Sequence, residues 1–425
     1  MPRILRLLLI ALLIAPVWRA GERPAVAQSV LAAPPYVVLG PDGTPIARAI
    51  TTADTCPTVS FAGLSVPMQP RAVPSPAFPV LSCELPIPPS VFSASIEGHH
   101  LPLVPVTPRR IAVLGDTGCR IAGSRAQGCN DPDQWPLATI AQSIAAYRPD
   151  LIIHVGDFLY REDPCPAAAS SCAGSPYGDT WAAWRADWFA PAAPAFLAAP
   201  WVMVRGNHEV CQRGAEGWFR FLDPWPYQER CQSVTEPYRI AFDELNLVVV
   251  DSGVASDVSA PEDQVEIYRA QLERALTIAR DQTWLVTHRP PYAVSGFSTP
   301  PDTAASNLTL AAAAPAVWPE GVQLILSGHV HLWEAVGFAL SATGRPSQIV
   351  VGNSGTMLES SFTLSFEGLR IAGELASPES RYVTDQFGFM TFEPVASGGW
   401  VALARDRNGY PMVTCTVRGK QVACR

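Results

Sequence analysis

The chain has 425 residues, 48% of them hydrophobic and 16% charged, with a net charge of -8. Single cores stop growing near roughly 250–300 residues, so this length accommodates one large domain plus a smaller one, and the composition excludes a disordered chain. The acidic balance excludes a broad nucleic-acid surface, which needs clustered lysine and arginine, so any anionic ligand has to be attracted locally.

Residues 1–27 read as a secretory signal. Arg3 and Arg6 precede an apolar run from Leu7 to Val17, and Ala25 to Ala27 supply small residues for cleavage. An uncleaved anchor is the alternative, but the run is shorter than the roughly 20 residues that span a bilayer, and no later segment could cross one. The expected location is therefore secreted or periplasmic. Ten cysteines follow, with no C-x-x-C pair among them: Cys56, Cys83, Cys119, Cys129, Cys165, Cys172, Cys211, Cys231, Cys415 and Cys424. An even number in an exported chain fits structural disulfides. The positions fall into five local couples, so pairing between sequence neighbours is expected, with buried free thiols as the alternative.

Residues 28–107 are rich in Pro, Ser and Thr, with short β-like runs such as "YVVLG" and "VLSCEL" and no helical period. They suggest a small β-rich module or an extended wrap. From residue 108 to 425 the pattern changes to short apolar runs that each end in a polar cluster: "IAVLGDTG", "LIIHVGDFLY", "WVMVRGNHE", "LVVVDSG", "WLVTHRPP", "LILSGHVH" and "IVVGNSG". Continuous apolar runs fit strands buried on both faces. Between them lie helical segments, of which "DQVEIYRAQLERALTIARD" is the clearest, with Val265, Tyr268, Leu272, Leu276 and Ala279 spaced by three and four. Strand, polar loop and helix in succession indicate an α/β or mixed (α+β) sandwich, whose strand ends carry the chemistry. The β-like residues from Phe362 to Arg425 are expected to complete the catalytic sheets, closed off by Cys415 and Cys424.

The polar clusters hold Asp116, Asp157 with Tyr160, Asn207 with His208, His288, and His329 with His331. Carboxylate, amide oxygen, phenolate and imidazole are ligands for first-row transition metals. A lone Gly-Asp pair is ordinarily a turn, and a lone tyrosine is ordinarily a partly buried aromatic. Five such clusters in this order are another matter. His154, by contrast, lies inside an apolar run and reads as a hydrogen-bonded core histidine.

With these residues in view, the chain resembles the calcineurin-like metallophosphoesterases and, within them, the purple acid phosphatases. Their blocks G-D-x-G, G-D-x-x-Y, G-N-H-[ED], V-x-x-H and G-H-x-H match Gly115 to Gly118, Gly156 to Tyr160, Gly206 to Glu209, Leu285 to His288 and Gly328 to His331, with Leu285 in place of Val. The resemblance covers Arg110 to Ser354. It implies a sandwich of two mixed β-sheets flanked by helices. It also implies one metal on Asp116, Asp157, Tyr160 and His331 and a second on Asp157, Asn207, His288 and His329, with Asp157 shared. Two carboxylates and a phenolate suit a trivalent ion, while a neutral amide and imidazoles suit a divalent one. The expected cofactors are thus Fe(III) plus a divalent Fe, Zn or Mn, or alternatively two divalent metals. Where the superfamily often has Asp-x-His, this chain has Gly118, and Tyr160 takes the place of that histidine.

The activity so implied is hydrolysis of phosphate monoesters by attack of a metal-bound hydroxide. A phosphodiesterase or nucleotidase with two divalent metals is the alternative on the same scaffold. His208 would contact the phosphate or assist the leaving group. Arg205 and Arg289 flank ligand positions and could neutralise phosphate charge, while Glu209 and Glu334 could orient a ligand histidine. No histidine lies between Arg289 and Gly328, where purple acid phosphatases commonly place further histidines. The Cys-containing stretch from Arg161 to Phe189 could wall the pocket, or Trp181, Trp184 and Trp188 could pack in the core.

Overall fold

The structure, a computed structural model, describes residues 30–295, 307–338 and 341–425, so the signal expected over residues 1–27 lies outside the described residues. Two mixed sheets face each other. In the first, Ile111–Leu114 pairs in parallel with Leu151–His154, which pairs in parallel with Trp201–Met203. In the second, Asn246–Val250, Thr283–Thr287, Val322–Ser327 and Ser347–Val351 run parallel, and Tyr238–Ala241, Trp333–Val336 and Arg381–Val383 complete it antiparallel.

Strand alternation divides the apolar runs between two cores. Ile111, Val113, Leu151, Ile153 and Val202 pack against Leu247, Val249, Trp284, Val286 and Leu326 between the sheets. The intervening Ala112, Leu114, Ile152 and Met203 face outward onto the helix Leu137–Tyr147. Both faces are covered, which is why these runs are apolar throughout. On the outer face of the second sheet, Val248, Val250, Leu285 and Ile325 meet the helix Glu262–Ile278. That helix buries Val265, Tyr268 and Leu272 as its spacing predicts, but Gln271 and Ala275 complete the face and Leu276 is only partly buried. Glu262 and Asp263 sit in its first turn, where the helix dipole favours negative charge.

The carboxyl-terminal strands join the first sheet: Gly388–Pro394 pairs antiparallel with Ile111–Leu114, and Trp400–Asp406, Pro411–Arg418 and Gln421–Cys424 follow in order. Cys415 and Cys424 face each other across the last pair and are bonded, as the sequence leads one to expect. The other four disulfides also join sequence neighbours: Cys56–Cys83, Cys119–Cys129, Cys165–Cys172 and Cys211–Cys231.

At its other side this sheet takes in the amino-terminal region. Tyr36–Leu39 lies parallel to Trp201–Met203, and Pro45–Thr51, Leu81–Pro86 and Gln69–Ala72 continue outward, while four further short strands form a small separate sheet. Buried arginines fasten this region to the segment Phe219 to Trp225. Arg48 donates to the carbonyls of Phe221 and Asp223, and Arg71 donates to those of Phe219, Asp223 and Trp225. Trp184 and Trp188 are fully buried in the outer core with Phe158, Trp201 and Trp218, so the stretch after Tyr160 contributes core rather than cavity wall.

Glu334 lies on Trp333–Val336, buried, with both oxygens accepting from the Val294 amide at 3.2 and 3.1 Å. Burial pushes its carboxyl up to about 8. A carboxyl raised in the fold stabilises most below its unfolded value, and that contribution is lost as pH rises through the folded value. Unfolding titrations of the wild type are expected to lose about 4 kcal/mol between pH 5 and pH 9 from this group. Glu334→Gln should flatten that fall, and an unchanged slope would remove Glu334 as its source.

Candidate metal centre

Each cluster stands where a parallel strand ends, so the same edge of both sheets collects them. The chain turns sharply there. Asp116, Asp157 and His329 are left-handed, with φ of 56°, 61° and 72°. For residues other than glycine this costs on the order of 1–3 kcal/mol each and has to be held by surrounding contacts. The loops supply them: the Asp116 amide donates to the Gly156 carbonyl at 2.9 Å and the Thr117 amide to the Asp157 carbonyl at 3.0 Å. The His208 amide donates to Asp157 Oδ1 and the His329 amide to Asp116 Oδ2, both at 2.8 Å.

Glu209 ties the second and third loops together. Its fully buried carboxylate accepts from the amides of Asp157, Phe158, Leu159 and Gly206 at 2.8–3.1 Å. Burial and the nearby Asp157 raise its carboxyl to about 8. It therefore shapes backbone, and neither Glu209 nor Glu334 bonds a ligand histidine among the described residues. Gly206 is needed for the same close approach, because a Cβ there would lie 2.1 Å from Asp157 Oδ1.

Within this frame the donor atoms converge in a pattern that hydrogen bonding alone cannot satisfy. Tyr160 Oη lies 3.0 Å from Asp116 Oδ1, 2.8 Å from Asp157 Oδ2 and 2.9 Å from His331 Nε2. One phenol proton can serve one of them. His331 Nδ1 donates to the Met357 carbonyl at 2.9 Å, which leaves Nε2 as a lone pair facing that oxygen. The same holds for His288: Nδ1 donates to the Val155 carbonyl at 2.9 Å, and Nε2 faces Asn207 Oδ1 at 3.0 Å and Asp157 Oδ2 at 3.2 Å. Ligand atoms of Asp157, His288 and His329 lie within 4.8 Å of one another. Clustered lone pairs of carboxylate, phenol, amide and imidazole are what a pair of cations resolves, and the residues present fit such a pair.

The electrostatics agree. Burial, then Asp116 and Asp157, push the Tyr160 phenol well above its usual range. Burial and Asp157 likewise raise Asp116, whereas Asp157, though itself desolvated, is held well below the carboxylate range by His288 and His208. Burial, then Arg120, brings the His331 imidazole down to about 3, and burial, then Arg289, brings His329 down to about 4.

Several neighbours carry no sequence motif. Asp257 Oδ2 meets His329 Nε2 at 2.9 Å and pairs with Arg289, whose Nη1 also lies 2.9 Å from that nitrogen. Glu162 Oε1 lies 3.0 Å from His208 Nδ1 and pairs with Arg213, whose Nη2 reaches the same ring at 2.9 Å. Glu162 follows Tyr160 by two residues, and Arg213 returns to His208 because the Gly214 amide donates to the His208 carbonyl at 2.8 Å. Arg205 is buried, bonding the carbonyls of Glu209 and Gln232 and pairing with Asp251, away from the cavity lining. His154 is the core residue expected, 3.0 Å from Thr117 Oγ1 and stacked on Phe158. An open cavity of about 720 Å³ lies over Asp157, Asn207, His208, His329 and His331.

A family profile described as calcineurin-like phosphoesterase matches residues 109–332, just over half of the chain. No curated protein sequence matches it. Among solved structures, the purple acid phosphatase PPD1 from yellow lupin (Lupinus luteus) seeds superposes with a TM-score of 0.55 at 14% identity, over 92% of this chain and 73% of that one. PhoD superposes with a TM-score of 0.54, also at 14% identity, over 92% of this chain and 91% of its own. At such identities the likeness is one of fold.

Because a methyl at residue 206 would displace Asp157, Gly206→Ala is expected to cost about 1–3 kcal/mol in urea unfolding and to lower bound metal together with activity. Wild-type stability with full metal content would show that the loops part without disturbing Asp157.

Proposed function

The chain belongs to the calcineurin-like phosphoesterases and is a metal-dependent hydrolase of phosphoric ester bonds, and on that premise we propose that it is an exported phosphomonoesterase with a tyrosine-ligated iron. The observation that carries this reading is Tyr160 Oη, held within 3.0 Å of Asp116, Asp157 and His331. Asp116, Asp157, Tyr160 and His331 would hold Fe(III), and Asp157, Asn207, His288 and His329 a divalent ion. Two bound cations neutralise the phosphate and lower the pKa of an attacking water, which is most of what phosphoryl transfer requires.

The remaining work falls to the protein. His208 is buried with Nδ1 at Glu162 and its ring 3.7 Å from that of Tyr160, while Nε2 lies 3.0 Å from Arg213 Nη2. His208 and Arg213 both line the cavity and together would meet the substrate, with His208 passing a proton to the departing oxygen. Arg213 and Glu162 fix that ring. Asp257 and Arg289 hold His329 by Nε2, an arrangement that orients a ligand histidine through its second nitrogen. The five disulfides and the signal-like amino terminus support export; among the described residues no helix is long and apolar enough to cross a membrane.

Chelator dialysis is expected to abolish hydrolysis of 4-nitrophenyl phosphate, and readdition of iron with zinc or manganese to restore it. The iron-loaded protein should show a visible tyrosinate-to-iron band that Tyr160→Phe removes. A colourless enzyme fully active with manganese alone would favour two divalent metals. His208→Asn should lower kcat about 100-fold with metal content unchanged; loss of metal in that variant would make His208 structural.

A further inference from the structure

The cavity over the metal centre is lined by several cationic side chains in a protein whose net charge is -8. Three arginines line it, Arg120, Arg125 and Arg213. Arg213 is neutralised by Glu162, and Asp257 on the same wall is neutralised by Arg289. Arg120 and Arg125 form no ion pair among the described residues, and the lining carboxylates left beside them are Glu359 and Asp157, the second of which is a proposed metal ligand. The Arg120 guanidinium lies 5.4 Å over the ring of Tyr160, and its Nε is buried without a hydrogen-bond partner. An arginine so placed has unspent donors directed by a rigid fork, which suits a phosphate.

The backbone that carries the two arginines is fixed in advance. Ile121–Ala122 and Arg125–Ala126 form a short hairpin closed by the Cys119–Cys129 disulfide. The Ile121 amide donates to the Tyr160 carbonyl at 3.0 Å, and the Glu162 amide to the Ile121 carbonyl at 3.0 Å, so the hairpin is joined to the strand end that presents Tyr160. Gln127 pins its base, donating from Nε2 to the Gly355 carbonyl at 2.8 Å and accepting at Oε1 from the Arg120 amide at 3.0 Å. The hairpin is thus part of the site's wall.

We propose that Arg120 and Arg125 form a second anion subsite, and that the preferred substrates are phosphomonoesters whose alcohol carries another phosphate. This rests on the phosphomonoesterase reading above. Water would bond to the reacting phosphorus, the ester P–O bond would break with its electron pair going to the alcohol oxygen, and that oxygen would take up a proton. The second phosphate would stay intact on the arginines.

The test compares fructose 1,6-bisphosphate with fructose 6-phosphate as probes, by phosphate release from the metal-loaded protein. Wild type is expected to prefer the bisphosphate in kcat/KM, and Arg125→Glu to reduce that preference about tenfold, the size expected from one charge-assisted contact. Arg125→Lys should recover part of it, and Arg120→Gln should lower it in the same direction. A preference ratio equal in wild type and Arg125→Glu would overturn the subsite. If wild type hydrolyses neither probe, the esterase reading fails separately, and calorimetry with inorganic pyrophosphate still decides the subsite. Weaker binding by Arg125→Glu supports it, and equal binding sinks it.

Discussion

One buried carboxylate holds the site's geometry. Glu209 accepts four backbone amides from two loops, and each of those donors would otherwise be an unsatisfied buried group costing about 1–3 kcal/mol. The left-handed turn at Asp157 and the close passage of Gly206 against it are sustainable because this carboxylate satisfies the amides the turn exposes. Everything that depends on the position of Asp157 depends on it in turn: the contact with Tyr160, the contact with His288, and the amide of His208. Strain at the strand ends is thus matched by hydrogen bonds in the loops, a balance that lets charged side chains converge where unconstrained loops would let them spread.

The sheets explain why those turns lie together at all. Parallel strands end at one edge, and two facing sheets with parallel centres bring their edges to a common rim, so seven strand ends deliver residues from Asp116 to Asn353 into one neighbourhood. The cost is a double-faced burial that demands apolar residues at consecutive positions. The helices Leu137–Tyr147 and Glu262–Ile278 meet that demand from outside, and the inter-sheet core meets it from within.

These features were unequally legible in the sequence. Strands buried on both faces, the helix Glu262–Ile278, the carboxyl-terminal completion of the sheet and the five neighbouring disulfides all leave local signatures, because periodicity and short loop closure are local properties. The residues of the candidate centre were legible through spacing within five short blocks. The roles of Glu209 and Arg205 were not, since both sit beside a motif yet spend their polar atoms on backbone groups that only the folded loops define. Asp257 carried no signal, for it reaches His329 across 72 positions and belongs to no recurrent pattern. The pairing of Val38 with Trp201 is of the same kind: nothing in "YVVLG" says which strand it will join.

The disulfides add a constraint of a different sort. Cys119–Cys129 and Cys211–Cys231 close loops that begin within a few residues of Asp116 and Asn207, and Cys165–Cys172 closes one just after Tyr160. Cross-links in such short loops restrict the unfolded chain less than long-range ones would. Their placement instead limits what the segments after each strand end can do, and Arg120 in particular is confined between a bonded cysteine and a two-residue strand tied to Tyr160. With its backbone held by covalent and hydrogen-bonded closure, Arg120 starts from the cavity rim, and its guanidinium lies over the ring of Tyr160 rather than against a carboxylate of the acidic surface.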